Sequence, residues 1–150
     1  MRAVIQRVKH SSVTIDGIVK SSVQNGLMIL LGIEETDGME DIKWLAGKIV
    51  RLRIFEDANK VMNFSVRDVD GDVMVVSQFT LHASTKKGNR PSYIKAARPE
   101  TAILLYNDFI KEMESLMGKP VATGEFGALM DIEMVNTGPV TILIDTKNRE

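Results

Sequence analysis

The chain has 150 residues, of which 44% are hydrophobic and 26% charged, and its formal net charge is −1. This balance predicts one globular domain spanning residues 1–150 and argues against a protein that coats nucleic acid through bulk positive charge. The absence of cysteine excludes a disulfide scaffold, a cysteine-ligated zinc site and a cysteine nucleophile. No apolar stretch of signal-peptide length opens the sequence, and the longest nearly apolar run, residues 26–33, is too short to span a bilayer. We therefore expect a cytoplasmic protein.

The first third of the chain predicts hairpin-linked strands followed by a helix. Residues 3–8 and 11–16 have strand-like patterns, and the apolar run 26–33 is typical of a central strand buried on both faces. Asp37 is expected to cap the helix, with Glu40 three residues later as its capping-box partner. The buried face of that helix is predicted to contain Ile42, Leu45, Ala46 and Ile49.

The rest of the chain predicts more strands and a second helix. The predicted strands cover residues 53–57, 72–81, 120–126, 128–136 and 139–145. The helix should begin at Pro99 and stop before Gly118, because proline suits a first helical position and glycine suits a helix end. Its expected buried stripe is Ala102, Ile103, Tyr106, Phe109, Ile110 and Met113. The whole pattern predicts an α+β fold, a largely antiparallel sheet or partial β-barrel with two amphipathic helices packed on it.

Several chemical candidates also have an ordinary structural interpretation. His10 and His82 lack metal-ligand spacing and are expected on the surface or at strand ends, and no G-x-S-x-G elbow supports a serine triad through His82. Residues 68–72, DVDGD, faintly resemble a calcium loop but lack its distant glutamate, so a turn is favoured. The basic side chains of a later loop, which either contact phosphate or only face solvent, are Lys86, Lys87 and Arg90.

Two further segments place polar or unusual residues at the ends of strands. In SQFTL, residues 77–81, a buried strand runs into hydroxyl and amide groups whose backbone N–H groups could stabilise an oxyanion, although Thr80 would also suit an ordinary strand. In NTGPVT, residues 136–141, Gly138 and Pro139 stand where a core strand should begin, and neither residue suits a strand. The residues alone favour a trans Gly-Pro bond and a simple turn.

Taken together, these two segments resemble the signature motifs of the D-aminoacyl-tRNA deacylases, S-Q-F-T-L and N-x-G-P-V-T. The resemblance covers nearly the whole chain, because residues 5–8, 53–55, 62–63 and 88–92 also match, while the tail after Asp145 and His82 depart from it. It implies a cytoplasmic homodimer with its active site at the subunit interface, acting without metal or cofactor. The substrate would be D-aminoacyl-tRNA, whose ester bond is hydrolysed, and glycine wrongly attached to tRNA would be a second substrate.

The resemblance also implies a role for each motif. The family's Gly-Pro bond is cis and enters the other subunit's active site, so Gly138 and Pro139 would hold the substrate's α-amino group and reject L-amino acids. Asn136 belongs to this half of the site, and Arg7 would support the turn. The catalytic half would be Ser77, Gln78, Phe79 and Thr80.

In that half, backbone N–H groups near Gln78 and Phe79 would hold the ester carbonyl. Thr80 would position the substrate, while the 2′-hydroxyl of the terminal adenosine assists a water. Lys86, Lys87 and Arg90 would contact the tRNA backbone. Two other functions stay open: a nucleic-acid-binding module without catalysis, which needs only this basic loop, and a serine or threonine hydrolase of small esters.

Overall fold

The computed structural model describes all 150 residues, which form eight strands and two α-helices. The elements are β1 (Arg2–Ile15), β2 (Ile18–Val23), β3 (Gly26–Gly32), α1 (Met39–Arg51), β4 (Phe55–Glu56), β5 (Met62–Phe64), β6 (Asp72–Ser77), a short 3-10 helix (Phe79–His82), α2 (Pro99–Met117), β7 (Ala122–Thr123) and β8 (Asp131–Asp145). Neither α-helix is both long and apolar enough to cross a membrane.

Strand β1 organises the main sheet because it is paired along both edges. One edge pairs antiparallel with β3 and then with β2, and the other edge pairs antiparallel with β8 over nearly its whole length. Strands β6 and β7 extend the sheet in parallel beyond β3. The sheet then curls back, since the Ser21 hydroxyl of β2 donates to the Thr123 carbonyl of β7 at 2.7 Å. The result is a mixed sheet nearly closed into a barrel, which confirms the predicted α+β class.

The two helices cover one face of this sheet and form the larger core with it. Leu45 and Ile49 of α1 and Phe109 and Met113 of α2 are fully buried there. A smaller apolar cluster, which includes Val8 and the buried methionines of β3 and β6, fills the other face. At about 25 cal/mol per Å² of buried apolar area, such burial is the main force that holds helices and sheet together.

Helix α2 is also fixed to β6 by one buried polar contact. The Tyr106 hydroxyl donates to the Val75 carbonyl at 2.7 Å, and burial raises the pKa of Tyr106, so the phenol stays a donor. The predicted limits of α2 are confirmed, because it begins at Pro99 and ends before Gly118, whose φ of 70° is left-handed. The prediction that Ile103 belongs to the buried stripe is wrong, because this residue is 39% exposed.

Helix α1 buries the predicted face of Ile42, Leu45, Ala46 and Ile49, but its predicted cap is wrong. The N-cap is Gly38, whose N–H donates to the carboxylate of Asp41 at 3.0 Å. Asp37 instead accepts hydrogen bonds from the Met1 α-ammonium at 2.5 Å and from the Glu34 N–H at 2.9 Å. The Asp37 side chain therefore forms a long-range charge contact with Met1 instead of the helix cap that the local pattern predicted.

Several predicted strand limits are also wrong. Residues 3–8 and 11–15 belong to one strand, β1, and residues 131–145 form one strand, β8, across the Gly-Pro pair. Both strands contain irregular register positions that absorb residues unsuited to a ladder. The predicted strand over residues 72–81 ends at Ser77, and the strands over 53–57 and 120–126 shrink to two residues each, β4 and β7.

Candidate active site

The Gly-Pro pair lies in a wide bulge in the middle of β8. Gln6 of β1 is paired with Thr141, and Val8 is paired with Asn136, so residues 137–140 of β8 all lie opposite one residue of β1, Arg7. A proline inside such a bulge removes no ladder hydrogen bond. Both Gly138 and Pro139 are exposed, and the bond between them is cis.

Arg7 fills the space behind this bulge, and only 6% of the residue is exposed. Its Nε donates to the Thr137 carbonyl at 3.0 Å, and its Nη1 donates to the Ile54 carbonyl at 2.6 Å. Its Nη2 lies 3.8 Å from the carboxylate of Glu56. One planar guanidinium thus joins the β8 bulge to the segment that leads into and forms β4.

Gly138 is held in a conformation and a space that only glycine suits. Its φ is +125°, outside the range that L side chains adopt readily. A Cβ atom at this position would lie 2.7 Å from the Arg7 Nη2. The close approach of the guanidinium therefore depends on the missing side chain.

Asn136 closes the bulge from within β8. Its Oδ1 accepts from the Val140 N–H at 2.9 Å, and its Nδ2 donates to the Thr141 hydroxyl at 3.1 Å. Val140 is 7% exposed and belongs to the main core. The turn is consequently fixed on both sides while its tip faces outward.

The second motif forms a turn at the carboxyl end of β6. The Gln78 N–H donates to the Leu31 carbonyl of β3 at 2.7 Å, so it is not free for a substrate, contrary to the expectation from the sequence. The N–H groups of Phe79 and Thr80 have no acceptor within the chain. Two neighbouring free donors on a fixed turn can hold an oxygen that gains negative charge.

The side chains of this turn are arranged around Thr80. The Gln78 Nε2 donates a short hydrogen bond to the Thr80 hydroxyl oxygen. An amide N–H cannot accept a proton, so this contact does not make Thr80 a nucleophile. The ring of Phe79 is 56% exposed, and the Arg2 guanidinium fixes the far end of the turn by donating to the Leu81 carbonyl at 3.0 Å.

A mostly apolar cavity of about 620 Å³ opens beside the turn. Residues 77–79 form one wall, and the beginning of α2 and the loop after β7 form others. The lining side chains beyond the motif include Leu31, Ile33, Tyr93, Phe126, Leu129 and Ile132. A cavity of this size and character suits one small organic ligand.

The two motifs do not meet within one chain. Gln78 lies next to Leu31, which is paired with Ala3 of β1, whereas the β8 bulge faces Arg7. Ala3 and Arg7 are four positions apart on β1, or about 13 Å at the usual strand rise. The motifs also lie on opposite edges of β1, which adds further distance.

The basic loop directly precedes Tyr93, which lines the cavity. Ser84 and Ser92 exchange two backbone hydrogen bonds, of 2.8 and 3.0 Å, and so close the base of the loop that carries Lys86, Lys87 and Arg90, all exposed. The ring of the next residue, Tyr93, meets the Phe79 ring at 5.0 Å and 77°. Sequence reasoning missed Tyr93, although an aromatic residue directly after a basic loop was a signal that could have found it.

His82 was expected on the surface or at a strand end, but only 2% of the residue is exposed. Its ring packs against Gly32, where an added Cβ would lie 3.1 Å from the His82 Cδ2, and its Nε2 has no hydrogen-bond partner. His10 is half-buried on β1. No group of three or more His, Asp or Glu side chains is arranged to hold a metal ion.

Comparison with known proteins gives a consistent set of relatives. Residues 4–145 match the family described as D-Tyr-tRNA(Tyr) deacylase. Over 150 residues, covering 100% of both chains, the sequence is 65% identical to a D-aminoacyl-tRNA deacylase of Bacteroides fragilis (strain YCH46) and 60% identical to one of Flavobacterium johnsoniae.

Two solved structures share the fold. One, titled c-Myc DNA Unwinding Element Binding Protein, has a TM-score of 0.91 and 37% identity, covering 97% of this chain and 98% of that chain. The other, a probable eukaryotic D-amino acid tRNA deacylase, has a TM-score of 0.81 and covers 95% of this chain and 97% of that chain. At 16% identity, the second likeness shows the fold alone.

Replacing Arg7 by Met should destabilise the protein, because the Thr137 and Ile54 carbonyls lose their donor. Each buried carbonyl left without a partner costs about 1–3 kcal/mol, which urea unfolding would measure. Arg53→Met is the matched control, since Arg53 is exposed and its contacts to Asn63 can be replaced by water, at a cost of under about 1 kcal/mol. Equal losses for the two variants would contradict this role of Arg7.

Proposed function

Because the chain belongs to the D-aminoacyl-tRNA deacylase family, we propose that it is a hydrolase that cleaves the ester bond between a D-amino acid and the 3′ end of tRNA. Water adds to the ester carbonyl carbon, the bond to the ribose oxygen breaks, and a free D-amino acid and a tRNA with a free hydroxyl are released. The observation that carries this proposal is the β6 turn, where two unpartnered N–H groups stand beside an apolar cavity.

The catalytic half of the site is Ser77, Gln78, Phe79 and Thr80. In our proposal the Phe79 and Thr80 N–H groups donate to the ester carbonyl oxygen as it gains charge. Such donors are fixed in advance by the fold, so they need no rearrangement during the reaction. The contact from Gln78 to Leu31 supports this role, because it holds the turn against β3.

Thr80 positions the substrate rather than attacking it. Its hydroxyl oxygen accepts from the Gln78 amide, which leaves the Thr80 proton free to point toward the substrate. With no general base beside Thr80, the 2′-hydroxyl of the terminal adenosine is the group we assign to assist the attacking water. The cavity beside the turn is of a size to receive that adenosine.

The other half of the site comes from a second copy of the chain. The exposed tip of Gly138 and Pro139 is too far from the β6 turn of its own chain to act there, which supports a homodimer whose sites lie at the subunit interface. The open face of the β1–β8 pair supports the same assembly, since Val4 and the 66% exposed Leu143 are cross-strand neighbours there.

Chirality is read by the main chain of the partner copy's Gly-Pro turn. Carbonyl groups of Gly138 and Pro139 hold the α-amino group, while the β6 turn holds the ester. With these two groups fixed, the side chain of an L-amino acid points into the turn, whereas that of a D-amino acid points away. Glycine has no side chain to reject, so glycine attached to tRNA is a second substrate. Asn136 and Arg7 keep the turn in place.

The basic loop completes the site by contacting the tRNA backbone. Lys86, Lys87 and Arg90 are exposed, and side chains of this kind bind phosphate without reading sequence. The net charge of −1 favours modest, salt-sensitive binding. A substrate of this kind places the enzyme in the cytoplasm.

A nucleic-acid-binding role without catalysis is the second candidate, and one observation favours it. The related structure at 37% identity is titled as a DNA-element-binding protein. That role would use the basic loop but would leave the β6 turn and the β8 bulge without a purpose. Release of an amino acid by the wild-type chain decides between the two.

The wild-type protein should release D-amino acid from charged tRNA while the L-form persists, as followed by loss of radiolabelled amino acid from tRNA. Gly138→Ala should slow release of the D-form by about 100-fold or more, because the new Cβ displaces Arg7 and moves the turn. Gly17→Ala is the control, since Gly17 also has a positive φ but its Cβ would meet nothing within 4 Å. Equal cleavage of D- and L-forms by the wild type would overturn the chiral selection.

Mixed dimers test whether the site is shared. Phe79→Pro removes the Phe79 N–H at the first residue of the 3-10 helix, where that N–H has no acceptor within the chain and where proline suits a helix start. Phe79→Leu keeps the N–H and is its control. Phe79→Pro and Gly138→Ala should each be inactive alone. Co-expressed, they should regain activity, because one of the two sites in each mixed dimer combines two intact halves. No recovery in verified mixed dimers would place both halves in one subunit.

Thr80→Ala should lower kcat by less than about tenfold, the effect of losing one hydrogen bond. Loss of a covalent nucleophile would instead lower kcat on the order of 10⁶-fold. Thr80→Ser, which keeps the hydroxyl, should match the wild type. Single-turnover hydrolysis of D-aminoacyl-tRNA measures the difference, and a collapse of activity in Thr80→Ala alone would restore the threonine-hydrolase mechanism.

A further inference from the structure

We propose that the exposed rings of Phe79 and Tyr93 form a stacking platform for the base that precedes the terminal adenosine in the unpaired 3′ end of the tRNA. This inference rests on the proposed function, because it assigns a position to the RNA strand that leaves the active site. It adds Tyr93, which belongs to neither signature motif, to the substrate-binding residues.

The two rings are accessible and correctly arranged for such a role. Phe79 is 56% exposed, although phenylalanine is among the residues most often buried, and Tyr93 is 39% exposed. Their planes meet at 77° with centroids 5.0 Å apart. In an edge-to-face pair, the ring that contributes its edge keeps both faces uncovered by its partner, so a face is free for a base.

The cavity supports a path for a second nucleotide over these rings. Its volume of about 620 Å³ suits one small ligand, here a single aminoacylated nucleoside. Phe79 and Tyr93 both line it, and they are its two most exposed aromatic residues. In our proposal, an RNA chain whose terminal nucleoside is inside leaves past this pair.

The charges around the platform favour RNA over a protein surface. Exposed cations precede and follow Tyr93 in the chain, and none of them forms an ion pair within the protein. They are Lys86, Lys87, Arg90, Lys95 and Arg98. Unneutralised cations beside exposed aromatic rings are the arrangement by which proteins bind single-stranded nucleic acid, with phosphates on the cations and bases on the rings.

The rigid base of the basic loop sets the geometry of this platform. The Ser84–Ser92 hydrogen bonds place Tyr93 at a fixed point of the chain, one residue beyond the loop. Contact with Tyr93 in turn restricts the Phe79 ring, whose own N–H is assigned to the ester.

The test compares a long and a short substrate. Tyr93→Ala should raise the KM for D-aminoacyl-tRNA about tenfold, the loss of one stacked base, with little change in kcat. The KM for the D-aminoacyl ester of adenosine, which has no preceding base, should rise clearly less, because that substrate loses only the contact of Tyr93 with the cavity. Tyr93→Phe keeps the ring and should behave as wild type. Ile94→Ala is the matched control, because Ile94 is 90% exposed in the same segment but cannot stack.

A direct readout does not depend on catalysis. In an uncharged tRNA minihelix, 2-aminopurine replaces the penultimate base, and its fluorescence should be quenched on binding to the wild type but not to Tyr93→Ala. An unchanged KM with unchanged quenching in Tyr93→Ala would overturn the platform. Equal loss on both substrates would show that Tyr93 acts only through Phe79, and a shift in oligomeric state would show that a second copy covers the rings. Failure of the wild type to cleave D-aminoacyl-tRNA, with quenching intact, would overturn the proposed function and not the platform.

Discussion

The buried guanidinium of Arg7 is the contact on which the irregular half of this molecule depends. Four residues of β8 face that single residue of β1. Without the Arg7 side chain in the space behind them, nothing would fix the bulge in one conformation. Arg7 supplies fixed donors to Thr137 and Ile54 from a position that is 6% exposed. Because both strands continue with paired residues beyond the bulge, the exposed Gly138–Pro139 tip is carried on a rigid base.

The β6 turn is also held in one conformation, but by contacts to β3 and to Arg2. The N–H groups of Phe79 and Thr80 have no acceptor within the chain, yet the turn is held by the Gln78–Leu31 backbone hydrogen bond and by the Arg2 contact to Leu81. Both motifs therefore present main-chain atoms that contacts within the chain hold in place. Main-chain atoms on such supports move little, which would suit the proposed distinction between mirror-image substrates. The distance between the two motifs within one chain is the reason that our proposal includes a second copy.

Much of the fold followed from local pattern, and the failures have identifiable causes. The helix faces, the buried β3 run and the limits of α2 were predicted because helical spacing and continuous apolar character are local properties. The predicted cap of α1 was wrong because the amine of Met1, distant in sequence, binds Asp37. The predicted break in the strand before Pro139 was wrong because a bulge lets the strand continue, and a bulge depends on pairing with a second strand that the local sequence does not show.

The sequence by itself determined the fold class and the two motifs, since both depend on which residues follow one another. Residue order also identified Arg7, Asn136 and the basic loop as candidates through their resemblance to a family. Only the tertiary structure decided that the Gln78 N–H is used by Leu31, that His82 is buried, and that Tyr93 touches Phe79. These are contacts between segments far apart in the chain, set by how a curled sheet brings its strands together, and no local pattern encodes them.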